Sequence, residues 1–374
     1  MLDQFVRNNE LFLNQLLKSR KGRLVFALSP KLRRLHAECD AADTLEGRNV
    51  ALARLLDAFE DLLVYRATMW LKAAREDVRV FFRQRGRREK QDHSDPRAKD
   101  YYSVVTIAKN EARYMREFAL FYQATGADRL YLYDNDSADG LVEVLRPFID
   151  SGFVVYRKWP GRVVQTAAYR DAIRRTRHRT TWLAIVDADE FLLSPKGSMP
   201  EQLRAYERHP GVGVNWIEYG PNGHAARPEG LVMDNYTTTF ADYDTSINHH
   251  IKSIVQPAKV LCMRHTHFPI YKGKRRAVDE AGNTLDNYPA FQPGAGKAFT
   301  RDNHRDIFRI NHYAAKSLED VEEKTQRGTA DGAPSKAQIE AYDALLRTFE
   351  KEPLVEDYSI KAFADIVRAR YEDT

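Results

Sequence analysis

The feature that most constrains this chain is Trp182-Leu183-Ala184-Ile185-Val186, which runs directly into Asp187-Ala188-Asp189-Glu190-Phe191. A short, uninterrupted apolar run reads as a strand buried on both faces of a parallel sheet. Ligands of open α/β sheets bind beyond the carboxyl ends of such strands, where Asp187 and Asp189 fall. Residues two apart on an extended backbone point to the same side. Both carboxylates are therefore expected to aim at one hard cation, which takes oxygen ligands and bridges to a substrate diphosphate. An Asp-x-Asp triplet also occurs as a plain turn or a solvated helix start. The metal reading rests on three acids at the rim of a core, where uncompensated carboxylates are costly.

The rest of the chain supplies the context for that strand. Tyr102-Ser103-Val104-Val105-Thr106-Ile107-Ala108 reads as a buried strand, followed by Lys109-Asn110-Glu111 and a helix to about Thr125. Arg129 to Tyr133 is a second strand, ending in Asp134-Asn135-Asp136-Ser137, with a helix through Leu141, Val144, Leu145 and Phe148 after it. Phe153 to Tyr156 is a third strand, and Gln165 to Arg177 a helix. Strands alternating with helices at this spacing predict right-handed βαβ units and a parallel sheet. The acceptors at Asp134, Asn135 and Asp136 suit a ribose or base, or else an Asx turn, with Asp139 as a helix cap.

Residues 1–95 read as helical. Leu52, Leu55, Leu56, Phe59, Leu62 and Leu63 recur at helical spacing, with Glu60 and Asp61 facing away; Phe5, Leu13, Leu16 and Leu17 suggest an earlier helix. The basic run Arg83 to Lys90 and the polar stretch to Asp100 form a linker, or alternatively a patch for an anionic surface. No aromatic side chains are interleaved there, so nucleic acid is not an expected partner. Past Phe191, Val212 to Tyr219 is a strand, and from Ser317 the chain is helical, with Ser317 as cap and Glu319 and Asp320 in the first turn.

Composition sets outer bounds. The 374 residues suffice for one large domain or two of moderate size. A net charge of +5 is compatible with anionic substrates or an anionic membrane surface and selects neither. Two cysteines, Cys39 and Cys262, imply neither a disulfide framework nor a cysteine metal site, and suit a reducing compartment. No apolar stretch is long enough to span a bilayer, and the amphipathic N-terminus, Met1 to Asn14, is unlike a signal peptide.

These landmarks, in their order, resemble the glycosyltransferase family 92 and family 2-like group. The resemblance is carried by Thr106-Ile107-Ala108-Lys109-Asn110-Glu111, Tyr133 to Ser137, Gln165 with Ala168-Tyr169, and Asp187 to Phe191. It continues through Asn215-Trp216 with Gly220 and Gly223-His224, Lys252 to Val255, and Ile310-Asn311-His312-Tyr313-Ala314-Ala315-Lys316-Ser317. It covers roughly residues 100–330 and leaves 1–95 without a counterpart.

The resemblance implies a GT-A fold, a mixed and mostly parallel sheet flanked by helices. The domains expected are a helical region 1–95, a catalytic domain 96–330 and a helical extension 331–374. It implies transfer of a sugar from a nucleotide donor, UDP-linked, to a glycan or lipid-linked acceptor hydroxyl, with inversion and with Mn2+ or Mg2+ on the departing diphosphate. A cytoplasmic enzyme follows from the same habit, peripheral at the inner face of the membrane or not, with oligomer formation open through the N-terminal helices. The turn Glu218-Tyr219-Gly220-Pro221-Asn222 departs from the Phe-Gly-Ser-Ser wording typical of the group, which leaves the acceptor open.

Asp187, Asp189 and His312 are the expected metal ligands, a neutral imidazole being suited to manganese. Asp187 is alternatively a ribose contact, and Glu190 an orienting or capping group. Lys109, Asn110, Glu111, Asp134, Asn135, Gln165, Tyr169, Asp187 and Lys252 are expected around the nucleotide, with Lys252 and Arg264 against phosphate oxygens. His265 and His267 alternate on an expected strand. The general base that inversion requires is sought among Glu218, Asp242 and Asp244, with Glu218 first. Two other classes compete: a metal-dependent phosphohydrolase or nucleotidyltransferase using the same acids, and a non-enzymatic basic adaptor acting through residues 83–90.

Overall fold

A computed structural model describes residues 29–42, 44–60, 100–162, 164–263, 265–273, 275–285, 298–327 and 336–372, with isolated helical positions at 18, 71, 72, 74, 75 and 78. The segment 83–90, Arg264 and the early N-terminal helix lie outside the described residues. Within the N-terminal region two helices are described, α1 (Pro30–Asp40) and α2 (Leu45–Glu60). Leu52 and Leu55 of α2 are buried, as their spacing predicts.

From Asp100 the chain alternates. β1 (Asp100–Ala108), α3 (Ala112–Ala124), β2 (Arg129–Asp134), α4 (Leu141–Asp150), β3 (Val154–Lys158), α5 (Gln165–Thr176) and β4 (Thr180–Ile185) follow in order. Next come β5 (Glu190–Leu193), α6 (Met199–Leu203), β6 (Gly211–Glu218), α7 (Val232–Asn235), β7 (Thr238–Phe240), β8 (Ile251–Val255), β9 (Val260–Met263), β10 (Pro269–Tyr271) and β11 (Arg309–His312). The chain closes with α8 (Leu318–Arg327), α9 (Lys336–Lys351), β12 (Leu354–Glu356) and α10 (Lys361–Glu372).

The main sheet has eight strands in the order β3-β2-β1-β4-β8-β6-β11-β5. Four of its seven pairings are parallel: β3 with β2, β2 with β1, β1 with β4, and β6 with β11. The mixed, mostly parallel, helix-flanked sheet expected of the GT-A fold is thus what the chain forms.

Both faces of the sheet are covered, and the alternation along β4 shows how. Trp182, Ala184 and Val186 pack on one side with Met115, Phe118 and Tyr122 of α3. Leu183 and Ile185 pack on the other with Ala168, Tyr169 and Ala172 of α5. A strand with apolar side chains on both faces needs a layer on each. The C-terminal segment joins the same core: Ile360, Ala364 and Val367 are buried within it, and β12 pairs with β7. Gly220 lies against α9, where a Cβ would sit 2.7 Å from the Phe349 ring. Among the described residues no helix is long and apolar enough to cross a membrane.

Candidate active site

β4 ends at Ile185, so Asp187 and Asp189 do not lie on an extended strand. They occupy a tight turn into β5, closed by the Glu190 amide donating to the Asp187 carbonyl at 3.2 Å. The Glu190 carboxylate accepts in return from the Asp187 amide at 2.9 Å, which is the capping role expected of it. The turn replaces the period-two geometry, and the carboxylates find separate partners. Asp187 Oδ1 accepts from Gln165 Nε2 (2.7 Å) and Tyr169 OH (2.8 Å), and its Oδ2 from Lys252 Nζ (2.8 Å). Asp189 Oδ2 accepts from Lys324 Nζ at 2.6 Å, and its Oδ1 lies 3.8 Å from His312 Nε2. The expectation of two carboxylates sharing one face is corrected accordingly.

Strand register assembles the second half of the cluster. His312 on β11 stands opposite Glu190 on antiparallel β5 and opposite Glu218 on parallel β6. Facing positions on adjacent strands bring side chains together. His312 Nδ1 meets Glu218 Oε2 at 2.6 Å. The Trp216 indole stacks on His312 at 4.2 Å and on His250 at 4.8 Å. Glu218, the residue placed first as general base, is fully enclosed and holds His312 through its Nδ1. Of the other two candidates, Asp242 is exposed and accepts from the Asp244 amide at 2.9 Å, and Asp244 pairs with His249 at 2.9 Å with a side chain 74% exposed.

The cluster is a set of buried charges that offset one another. Burial opposes the charge on Asp189, yet Lys324 and then His312 hold its carboxyl well below the usual range. Burial also opposes the Lys252 ammonium, and Asp187 and Glu190 more than restore it. Burial pushes the Glu190 carboxyl up, with Asp187 adding to the push. Burial disfavours the His312 imidazolium, but the Glu218 carboxylate outweighs it and the pKa rises to about 9.

The rise on His312 has a direct consequence for stability. A histidine whose folded pKa exceeds its unfolded value, about 6.5, favours folding fully below that value and loses the contribution as pH climbs through the folded pKa. Urea unfolding between pH 6.5 and 9.5 should therefore show stability falling towards pH 9. Glu218→Gln should flatten that slope, and an unchanged slope would rule out this ion pair as its source.

At the end of β2 two of the expected nucleotide contacts, Asp134 and Asn135, bond the protein itself. Asp134 accepts from the Ser137 amide three residues on (2.8 Å) and from Tyr156 OH (2.6 Å), so its carboxylate closes the loop after β2. Asn135 donates to the carbonyls of Trp159 and Gly161. Asp139 caps α3 through the Ala112 amide at 2.7 Å, not the helix that follows it. Lys109 is half-buried. Asn110 and Glu111 line a cavity of about 300 Å3, and Arg113, Arg227 and Lys324 lie on its other walls. The structure therefore brings Asn110, Glu111 and Lys324, and through it Asp189, around one space. It encloses Lys252 (1% exposed) with Asp187 and Glu190. His265 and His267 lie in bends between β9 and β10, and His267 bonds the Ile251 carbonyl.

Lys324 is the site residue that sequence reasoning missed. The one local signal is its spacing: it follows the buried Val321 by three residues, which places it on the same side of α8. Its partner is 135 residues away in the chain.

An open α/β sheet with a charged cluster and a cavity at its strand ends is the layout of a protein that binds and transforms a polar ligand. The family model described as Glycosyltransferase family 92 matches residues 102–331. The chain belongs to glycosyltransferase family 92. A family 92 protein of Oryza sativa subsp. japonica is 31% identical over 198 residues, 50% of this chain and 33% of the relative. One from Ricinus communis is 27% identical over 297 residues, 74% of this chain and 48% of the relative. The chain thus spans a third to a half of these relatives' lengths. Among solved structures, S. aureus TarS in complex with UDP-GlcNAc is similar at 12% identity and a TM-score of 0.31, covering 67% of this chain and 73% of that one.

Proposed function

We propose that this chain is a metal-assisted glycosyltransferase that takes a sugar from a nucleotide donor, UDP-linked, and passes it with inversion to a hydroxyl of a glycan or lipid-linked acceptor. The observation that carries the reading is the junction of Asp189, His312 and Glu218, joined through Lys324 to the cavity lined by Asn110 and Glu111. Family membership favours a nucleotide-sugar donor.

The residues fit a divalent ion in part. Both Asp187 oxygens are engaged by Gln165, Tyr169 and Lys252, so Asp187 is a poor ligand and suits the edge of the nucleotide. Asp189 Oδ1 and His312 Nε2 are adjacent, and Glu218 on Nδ1 gives the carboxylate–histidine arrangement that orients metal-binding imidazoles. Mg2+ and ions like it are held by one or two protein groups plus phosphates and water. Such an ion would offset the charge of the departing diphosphate. Asn110 and Glu111 bound the nucleotide, the Asp187–Lys252–Glu190 set fixes the turn, and Asp244 is an accessible acid for the acceptor proton.

A two-ion phosphohydrolase finds less support. Among the described residues no group of three or more His, Cys, Asp or Glu side chains could hold a metal. The test is thermal stabilisation by UDP with Mn2+, with and without chelator. The expected result is a metal-dependent rise in Tm that Asp189→Ala abolishes, together with donor hydrolysis in a panel of nucleotide sugars. Equal stabilisation of Asp189→Ala, or release of free phosphate as the product, would overturn the reading.

A further inference from the structure

We propose that Lys324 is an exchangeable cation: it neutralises Asp189 in the metal-free protein and turns to the donor diphosphate when a divalent ion takes that carboxylate. The proposal rests on the reading of Asp189 and His312 as the ion's ligands. Lys324 Nζ is 2.6 Å from Asp189 Oδ2 and 2.9 Å from the Ala314 carbonyl. It holds Oδ2, while the ion would meet Oδ1 of the same carboxylate beside His312, and two cations on one largely enclosed carboxylate repel. An ion arriving at Asp189 therefore displaces the ammonium.

The structure gives that ammonium somewhere to go. Lys324 already lines the 300 Å3 cavity with Asn110 and Glu111. The backbone of α8 need not move. Its start is held by a reciprocal cap, in which Ser317 Oγ accepts from the Asp320 amide at 3.1 Å and the Asp320 carboxylate accepts from the Ser317 amide at 3.2 Å. A lysine on a fixed helix can swing its four-carbon stem between two anions. The neighbouring cations are less free. Arg227 is gripped by Asp320 and Glu323, and Lys316 is buried over the Tyr114 ring. Metal and nucleotide binding are then linked: each clears the way for the other through one side chain.

The experiment is a Mn2+ titration of the full chain by electron paramagnetic resonance, without nucleotide and with UDP, comparing wild type, Lys324→Met and Lys324→Arg. Lys324→Met should tighten nucleotide-free Mn2+ binding by roughly tenfold, within the usual 5–150-fold range of site coupling. It should weaken UDP binding at saturating Mn2+, so the mutual enhancement expected of wild type disappears. Lys324→Arg, which keeps the charge, should retain most of it. Should Lys324→Met fail to fold by circular dichroism, Lys324→Gln carries the same comparison. Unchanged Mn2+ affinity and unchanged coupling, in a protein that binds both, would overturn the exchange and leave the site reading intact. Absence of Mn2+ and UDP binding in every variant would overturn both.

Discussion

Lys252→Met should lower the free energy of unfolding by about 3–5 kcal/mol, the cost of leaving buried charge without its partner. Lys252 is 1% exposed, with its ammonium 2.8 Å from Asp187 and 3.7 Å from Glu190. Methionine fills much the same volume, so the loss is electrostatic and not a cavity. Glu190 absorbs part of the insult, since its raised pKa lets it take a proton. Asp187 is left facing Gln165 and Tyr169 alone. A second substitution separates the charge effect from packing: Asp187→Asn in the Lys252→Met background should recover much of the stability. Urea unfolding of wild type, Lys252→Met, Asp187→Asn and the double variant checks this, and a loss under about 1 kcal/mol in Lys252→Met would show that the ammonium is not the turn's counter-charge.

The parts legible in the sequence are those set by local pattern. The apolar runs ending at Ala108, Tyr133 and Val186 identified β1, β2 and β4, because a strand buried on both faces has no other way to be written. The capping role of Ser317 was legible for the same reason, with Asp320 three residues on. What was not legible depends on where a strand stops. β4 ends one residue before the apolar run does, and the turn that follows makes a same-face pair into two acids with different neighbours. The sequence marks Glu218 and His312 as polar residues at strand ends, but only the β6–β11 register makes them a pair. Lys324 has no signal that names its partner, because the contact depends on the packing of α8 against the β4–β5 turn. Charged residues at this site were therefore easier to recognise than to assign.

Asp189→Asn should reduce sugar transfer by roughly 10^3-fold, since several kcal/mol of charge stabilisation are at stake and each 1.36 kcal/mol is tenfold. Asparagine keeps the size and one oxygen of the side chain but none of the charge that Lys324 and His312 converge on. Its amide would point donors at cations that need an acceptor, so His312 should lose part of the raised affinity for its proton. Two readouts distinguish a chemical from a structural defect. Donor hydrolysis should fall along with transfer, while the urea midpoint should shift less than in Asp189→Ala, which leaves both cations with no oxygen at all. The imidazole pKa followed by NMR should move below about 9 in Asp189→Asn and further still in Glu218→Gln, because Glu218 is the larger of the two influences. Transfer within a few-fold of wild type in Asp189→Asn would place the diphosphate's counter-charge elsewhere, with Lys324, Arg113 and Arg227 on the cavity wall the next groups to remove.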